Sequence, residues 1–235
     1  MCHGPLELFD ICGMLRLRCI KMLKCYKTVQ GYGQTELKIN KSRFIAYTQR
    51  VENEESAVVF IEQIKKQHWD ASHNSSAYMV GENDQHQKAD DDGEPSGTAG
   101  KPILEIIKKS GLKDTVIVVT RYFGGIKLGA GGLIRAYGKS ANAGIKSAGT
   151  IERQGHTRIA AEIDYSMLGM LENQLRQQGY IIADKQFTAK TTLIVLEKLG
   201  QEDVLKQKIT DWTAGQVEFT HVGEVYVDTL ISDPE

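Results

Sequence analysis

The chain has 235 residues, of which 41% are hydrophobic and 25% are charged, and its formal net charge is −1. These fractions are ordinary for a globular protein, and the length allows one large domain or two small ones. A net charge near zero points to no particular partner, and no stretch reaches the roughly 20 apolar residues of a membrane span. We therefore expect no membrane partner.

The first 21 residues differ from the rest of the chain. All four cysteines lie within the first 25 residues, at Cys2, Cys12, Cys19 and Cys25. This distribution fits a reducing cytoplasm, and the spacing lacks the short paired knuckles of zinc sites. Glu7 and Asp10 interrupt the apolar run, so no signal peptide is predicted. We expect a cytoplasmic protein in which Met22 is the true start and residues 1–21 are an upstream extension or a poorly ordered arm.

Apolar periodicity predicts a first half that mixes strands and helices. Alternating apolar residues predict two strands around the turn at residues 40–42, and helical spacing predicts a helix over residues 54–67. A strand is predicted at residues 76–80. A polar loop follows, and then a short helix with Pro102 in its first turn and Gly111 as its C-terminal cap.

The polar loop, residues 91–101, is called the acidic loop below. It is dense in acids, hydroxyls and glycines, and its candidate contact residues are Asp91, Asp92, Gly93, Glu94, Pro95, Ser96, Gly97, Thr98 and Lys101. Its glycines permit backbone conformations that other residues avoid, and Pro95 restricts its freedom. Burial of a core does not require this composition, so the loop is predicted to contact a partner. His73 is either a structural histidine or a polar group of the same site.

A second loop, residues 121–132, is called the glycine loop. It follows a predicted buried strand at residues 115–120 and opens a helix from about residue 131 to residue 148. Its candidate contact residues are Arg121, Tyr122, Phe123, Gly124, Gly125 and Lys127. Loops at strand ends carry function more often than the elements they join. We expect one aromatic ring to pack inward and the other to face solvent.

The glycine loop and its helix are basic. Between residues 115 and 151 there is no acidic residue, whereas five are basic: Arg121, Lys127, Arg135, Lys139 and Lys146. Positive charge next to aromatic rings is typical of single-strand nucleic-acid binding. A solvated helix face has the same pattern, and the sequence leaves both interpretations open.

The pattern restarts after residue 149, which predicts domains at 22–149 and 150–235. In the second, strands are predicted at residues 156–163, 180–187, 193–199 and 216–227, with helices at 166–177 and 201–212. The order β-α-β-β-α-β is the ferredoxin-like plan, which many unrelated functions share. The predicted fold class is α+β with two domains.

Known nucleotide and metal motifs do not fit the chain. Around Gly100-Lys101, Pro102 stands where a phosphate loop needs a hydroxyl, and Gly129-Ala130-Gly131 lacks the third glycine and the distal acid of a dinucleotide fingerprint. The adjacent acids Asp90, Asp91 and Asp92 point in different directions, which disfavours one cation site. The sequence therefore predicts no cofactor and no metal ion.

An enzyme is the first alternative to a binding protein. A hydrolase-like site between the two loops could use Ser96 or Thr98 as the nucleophile and His73 or His68 as the base. The polar groups of this site would be His73, Asp92, Glu94, Ser96 and Arg121. No nucleophile elbow surrounds either hydroxyl, so no residue is assigned as catalytic.

From about Met22 onward the chain resembles the YigZ/IMPACT family. The resemblance rests on Lys41-Ser42-Arg43-Phe44-Ile45, on residues 68–73, on 91–102 and on 119–129. Trp69 stands where the family often has proline. The resemblance implies a first domain that is an α/β sandwich like domain IV of elongation factor G, and a second like its ferredoxin-like domain V. Eukaryotic relatives, which share only the first domain, regulate translation through a protein partner; the bacterial branch has no settled activity.

We therefore expect a cytoplasmic nucleic-acid or ribosome-binding regulator linked to translation. Its partner would be RNA or the ribosome, bound by the glycine loop with Arg135 and Lys139, and the acidic loop would form the rim. A protein-binding regulator that uses the same face is the second alternative.

Overall fold

A computed structural model describes residues 22–81 and 83–231. Within those ranges the chain has five α-helices and ten strands, and the strands form two five-stranded antiparallel sheets. The two helix-covered sheets confirm the α+β class with two domains. The predicted extension and its three cysteines lie outside the described residues. No helix between residues 22 and 231, residue 82 aside, is both long and apolar enough to cross a membrane.

The strands of the first sheet are β2 (Gly33–Ile39), β3 (Ser42–Arg50), β4 (His73–Val80), β5 (His86–Asp90) and β6 (Thr115–Tyr122). The sheet has the strand order β2-β3-β6-β4-β5. Its helices are α1 (Glu54–Gln67), α2 (Gly100–Lys109) and α3 (Gly129–Ala148). The helix predicted at residues 54–67 is confirmed with the same bounds. Asn53 and Ser56 form a capping box that fixes its start.

Side chains alternate between the two faces of this sheet, as the strand period of two requires. Phe44 and Ala46 of β3 pack in one core with α2 and α3, whereas Ile45 and Tyr47 pack in another with α1. α3 lies close to the sheet at Gly144, where an added Cβ would be 2.6 Å from Thr48 Oγ1. The result is a three-layer arrangement with α1 on one side and α2 and α3 on the other.

The second sheet is ferredoxin-like. Strands β7 (Thr150–Ile163), β8 (Ile181–Phe187), β9 (Thr191–Lys198) and β10 (Glu218–Leu230) pair in the order β10-β7-β9-β8. Helices α4 (Leu168–Gln177), which follows a 3-10 turn at Tyr165–Met167, and α5 (Glu202–Trp212) supply Leu171, Leu175, Leu205 and Ile209 to its core. The predicted β-α-β-β-α-β order is confirmed.

Two strands were not predicted from the sequence. β1 (Cys25–Val29) pairs with residues 150–154 of β7, so residues 25–29, which were grouped with the first domain, lie in the second sheet. β5 is an edge strand with mostly exposed polar side chains, and it therefore lacks the apolar alternation that marks a strand.

Strand pairing brings the two candidate loops together. β4 and β6 are antiparallel neighbours in which His73, at the start of β4, lies opposite Arg121, near the end of β6. The glycine loop leaves β6 at this end of the sheet, and the acidic loop follows β5, the other neighbour of β4.

Candidate functional site: the two loops at the end of the first sheet

The acidic loop is organised around the carboxylate of Asp91. This carboxylate accepts hydrogen bonds from the backbone N–H groups of Gly97 (2.7 Å), Ala99 (3.0 Å) and Gly100 (2.8 Å). Burial by itself raises the pKa of Asp91, but the three backbone donors together lower it by more. The pKa of Asp91 is therefore below its ordinary value. Asp91 therefore caps the start of α2 and holds the loop closed.

Asp92 also holds the loop in place. Its Oδ2 accepts from the Asn74 backbone N–H at 2.7 Å, its Oδ1 lies 3.0 Å from Lys65 Nζ, and its φ is +48°. Asp90 accepts from the Asp92 N–H and approaches the same lysine. The three neighbouring carboxylates thus bind backbone N–H groups and, for Asp90 and Asp92, the shared Lys65 ammonium group. No cluster of three metal-ligating side chains occurs within the described parts of the chain.

Glu94 and Arg121 form a buried ion pair between the loops. Arg121 Nη1 donates to Glu94 Oε1 at 2.6 Å, and the two side chains are 7% and 3% exposed. The hydroxyl of Tyr137, on α3, donates to the same oxygen at 2.8 Å. Burial raises the pKa of Tyr137, so it stays a neutral donor. Sequence reasoning missed Tyr137, because its helical spacing made it one more core residue.

His73 completes this polar cluster. Its Nδ1 lies 2.8 Å from the carbonyl oxygen of Asp92, and because a carbonyl only accepts, Nδ1 carries the hydrogen. Its Nε2 is 3.9 Å from Glu94 Oε2. Gly93 lies beside this ring, since a Cβ added there would be 3.4 Å from Nδ1.

The glycine loop is held by hydrogen bonds to neighbouring serines. Phe123 N–H donates to Ser72 Oγ at 3.0 Å, and Gly124 N–H donates to Ser42 Oγ at 3.1 Å. At Gly124 an added Cβ would lie 2.1 Å from the Lys41 carbonyl carbon, so only glycine fits this crossing of two backbones. Gly125 has a φ of +84°, which also favours glycine.

The two aromatic rings of the glycine loop face opposite ways, as expected. Tyr122 packs against the α1 core, and its hydroxyl lies 2.9 Å from His68 Nδ1. Phe123 is 49% exposed. The Arg121 guanidinium lies 5.4 Å from the ring centres of both Phe44 and Phe123. Phe123 is thus the loop ring that a partner can reach.

A cavity of about 500 Å³ lies between the two loops. His73, Glu94 and Arg121 line its polar side, Phe123 and the first turn of α3 line the rest, and Lys127 borders it. The two segments predicted to form one site therefore meet.

The predicted cations divide into two groups. Lys127, Arg135 and Lys139 are exposed, as is Lys101 at the start of α2. Arg121 is only 5% exposed and is bound to Glu94. The expectation that Arg121 presents its charge on an open surface is therefore wrong, because a buried carboxylate holds it inside the protein.

The residues named for a hydrolase do not all meet in the cavity. Ser96 is exposed and does not line it, whereas Thr98 is buried and its hydroxyl donates to the Pro95 carbonyl. The carboxylate of Asp92 is bound to Lys65 and Asn74. Only His73, Glu94 and Arg121 of the proposed polar set line the cavity, so neither candidate nucleophile lies beside the candidate base.

His68, the other candidate base, is a structural histidine. Its ring nitrogens lie 2.5 Å from the Tyr47 hydroxyl and 2.9 Å from the Tyr122 hydroxyl, and burial lowers its pKa. It caps the C-terminal end of α1, its ring contacts the rings of Tyr47 and Tyr122, and it does not line the cavity.

Known proteins share both halves of this architecture. The Impact N-terminal domain matches residues 40–145, and a domain of unknown function, DUF1949, matches residues 162–216. The IMPACT family member YvyE of Bacillus subtilis is 46% identical over 90% of this chain and 97% of its own length. The chain belongs to the IMPACT family.

A second family member and a solved structure are also similar to this chain. YigZ of Escherichia coli is 34% identical over 79% of this chain and 92% of its own length. A solved structure described as that of a hypothetical protein is 30% identical, with a TM-score of 0.56, and covers 86% of this chain and 98% of its own. The YigZ/IMPACT resemblance found in the sequence is confirmed.

Proposed function

We propose that this IMPACT family protein binds RNA or the ribosome through the outer face of α3. The main support for this proposal is a row of cations on that helix, called the basic face, which consists of Arg135, Lys139 and Lys146. These residues are spaced by four and seven positions, so they share one side of the helix. All three are exposed, and none forms an ion pair within the described ranges.

Neighbouring surfaces extend the basic face. Lys127 and the half-exposed Phe123 ring lie in the loop before α3. A groove of about 340 Å³ between α2 and α3 is lined by Lys101, Lys109 and Ile134, with Glu105 as its acidic member. Cations along a groove, together with an exposed ring in the loop before α3, support binding of a nucleic-acid strand, whose phosphates pair with the cations and whose bases stack on the ring.

The proposed link to translation comes from the family resemblance, whereas the basic face supports an anionic polymer. A protein partner is the alternative on this face. Its affinity would depend less steeply on salt than that of RNA, because fewer counterions would be released.

The test compares two variants of equal charge. Arg135→Gln with Lys139→Gln removes two cations from the basic face, and Lys66→Gln with Lys88→Gln removes two exposed, unpaired cations from α1 and β5. Fluorescence anisotropy with a labelled single-stranded RNA, and co-sedimentation with ribosomes, measure binding. We expect the first variant to bind at least about tenfold more weakly and the second to bind like the unchanged protein. Equal loss in both would mean non-specific attraction, and no binding by the unchanged protein would refute the proposal.

A further inference from the structure

The cavity between the acidic and glycine loops is a second candidate binding site, separate from the basic face. Its volume of about 500 Å³ lies in the range that encloses a small organic ligand. Its walls combine a buried ion pair with apolar groups, including Phe123, Leu128 and Leu133. A ligand that fits would therefore have both an apolar body and a polar group.

The first turn of α3 lies at this cavity. Gly129 and Ala130 line it, the capping residue Leu128 offers no side-chain acceptor, and no acidic side chain lies in the first turn. The first N–H groups of a helix have no partner within the helix, and the helix dipole favours negative charge there. α3 has 20 residues, so its dipole is fully developed.

The buried side chain of Arg121 gives separate evidence that the cavity binds a ligand. The residue is 95% buried, as its 5% exposure shows, and it lines the cavity. A guanidinium has five N–H donors, yet the structure shows one hydrogen bond, from Nη1 to Glu94, and Nε is buried without a partner. Buried donors are usually hydrogen-bonded, so an acceptor beside the guanidinium would complete the hydrogen bonding of this side chain.

The charge balance of the lining favours an anion. Glu94 is the only carboxylate in the lining, and its Oε1 already accepts from Arg121 and Tyr137. Arg121 and Lys127 outnumber it, and the start of α3 adds further positive potential. Helix N-termini of this kind bind phosphate groups with their backbone N–H donors.

We propose that this cavity binds a small phosphomonoester with an aromatic or apolar body. The phosphate would lie at the first turn of α3, near Lys127 and Arg121, and the body would pack against Phe123 and Leu133. The cavity shares Phe123 and Lys127 with the proposed RNA surface, but Arg135 and Lys139 do not line it, so variants at these two residues distinguish the two proposals.

The deciding variant is Ala130→Asp. Ala130 is exposed and is the second residue of α3, where a carboxylate stabilises a helix but repels a phosphate. Ala189→Asp, at an exposed position in the turn between β8 and β9, adds the same charge in the other sheet. Loss of binding in the first variant without loss of thermal stability therefore cannot come from misfolding.

Isothermal titration with phenyl phosphate, benzoate and inorganic phosphate tests the site. We expect phenyl phosphate to bind at least about tenfold more tightly than the other two probes. Ala130→Asp should weaken phenyl phosphate binding at least about tenfold, whereas Ala189→Asp and the Arg135→Gln, Lys139→Gln variant should leave it unchanged. Absence of phenyl phosphate binding, equal binding of benzoate, or full binding by Ala130→Asp would each overturn the proposal.

Discussion

The buried pair between Arg121 and Glu94 predicts a large loss of stability when one partner is removed. Replacing Arg121 with methionine keeps an apolar chain of similar length but leaves the Glu94 side chain, 3% exposed, without its cation. The Tyr137 hydroxyl would be its remaining close donor. Removing one member of such a pair typically costs about 3–5 kcal/mol. We therefore expect Arg121→Met to lower the free energy of unfolding of the first domain by that amount.

A double-mutant cycle separates this electrostatic cost from lost packing. Arg121→Met combined with Glu94→Gln removes both charges, so we expect the double variant to lose about 1–3 kcal/mol less than the sum of the single losses. Urea unfolding followed by circular dichroism gives the stabilities, and hydrogen exchange of β6 amides reports on the first sheet locally. As a surface control, Arg43→Met breaks the exposed Arg43–Glu36 pair, and we expect it to cost much less stability than Arg121→Met, because solvent screens an exposed pair. A loss below about 1 kcal/mol in Arg121→Met, or additivity in the cycle, would refute the reasoning.

Three further predictions concern the loops. Gly124→Ala should destabilise the protein by about 1–3 kcal/mol, because its Cβ would meet the Lys41 backbone. Gly131→Ala should be neutral or stabilising by up to about 1 kcal/mol, because its Cβ would make only an ordinary contact, 3.6 Å from the end of the Arg135 side chain; thermal unfolding compares the two variants. The pKa of Asp91 is lowered in the folded state, so its contribution to stability is present above its ordinary value of 3.8 and is lost as pH falls through the lower folded value. Asp91→Asn should therefore be less stable than the unchanged protein at neutral pH, with a difference that shrinks in acid; melting temperatures across a pH series check this. Phe123→Ala should weaken RNA binding by about 1–3 kcal/mol with little change in melting temperature, since the ring is 49% exposed; anisotropy and thermal unfolding measure both.

Periodicity predicted the elements that bury a continuous apolar face. α1, the strand pair β2 and β3, and the β-α-β-β-α-β order of the second half all carry such faces, and the structure contains each of them. β5 could not be found in this way, because its pairing with β4 depends on backbone hydrogen bonds and not on side-chain burial. β1 has a short alternation at Tyr26 and Thr28, but the sequence does not show that its partner is β7.

The site was predicted in outline, but the roles of its residues were not. Composition marked both loops, yet it could not show that Asp91 turns inward onto three backbone N–H groups or that Glu94 lies buried beside Arg121. Those contacts join residues up to 27 positions apart and follow from the pairing of β4 with β5 and β6. An arginine in a loop has the same sequence signature whether its charge is paired inside the protein or exposed outside it.

The salt dependence of RNA binding tests the central claim, that the outer face of α3 binds a nucleic-acid strand, most directly. Each phosphate contact on a single strand contributes about 0.7 to the slope of log affinity against log salt concentration. The Arg135→Gln, Lys139→Gln variant should therefore have a slope shallower by about 1.4 than that of the unchanged protein, and the Lys66→Gln, Lys88→Gln variant should keep the full slope. Identical slopes in all three proteins would contradict the account, because these two cations would then contact no phosphate.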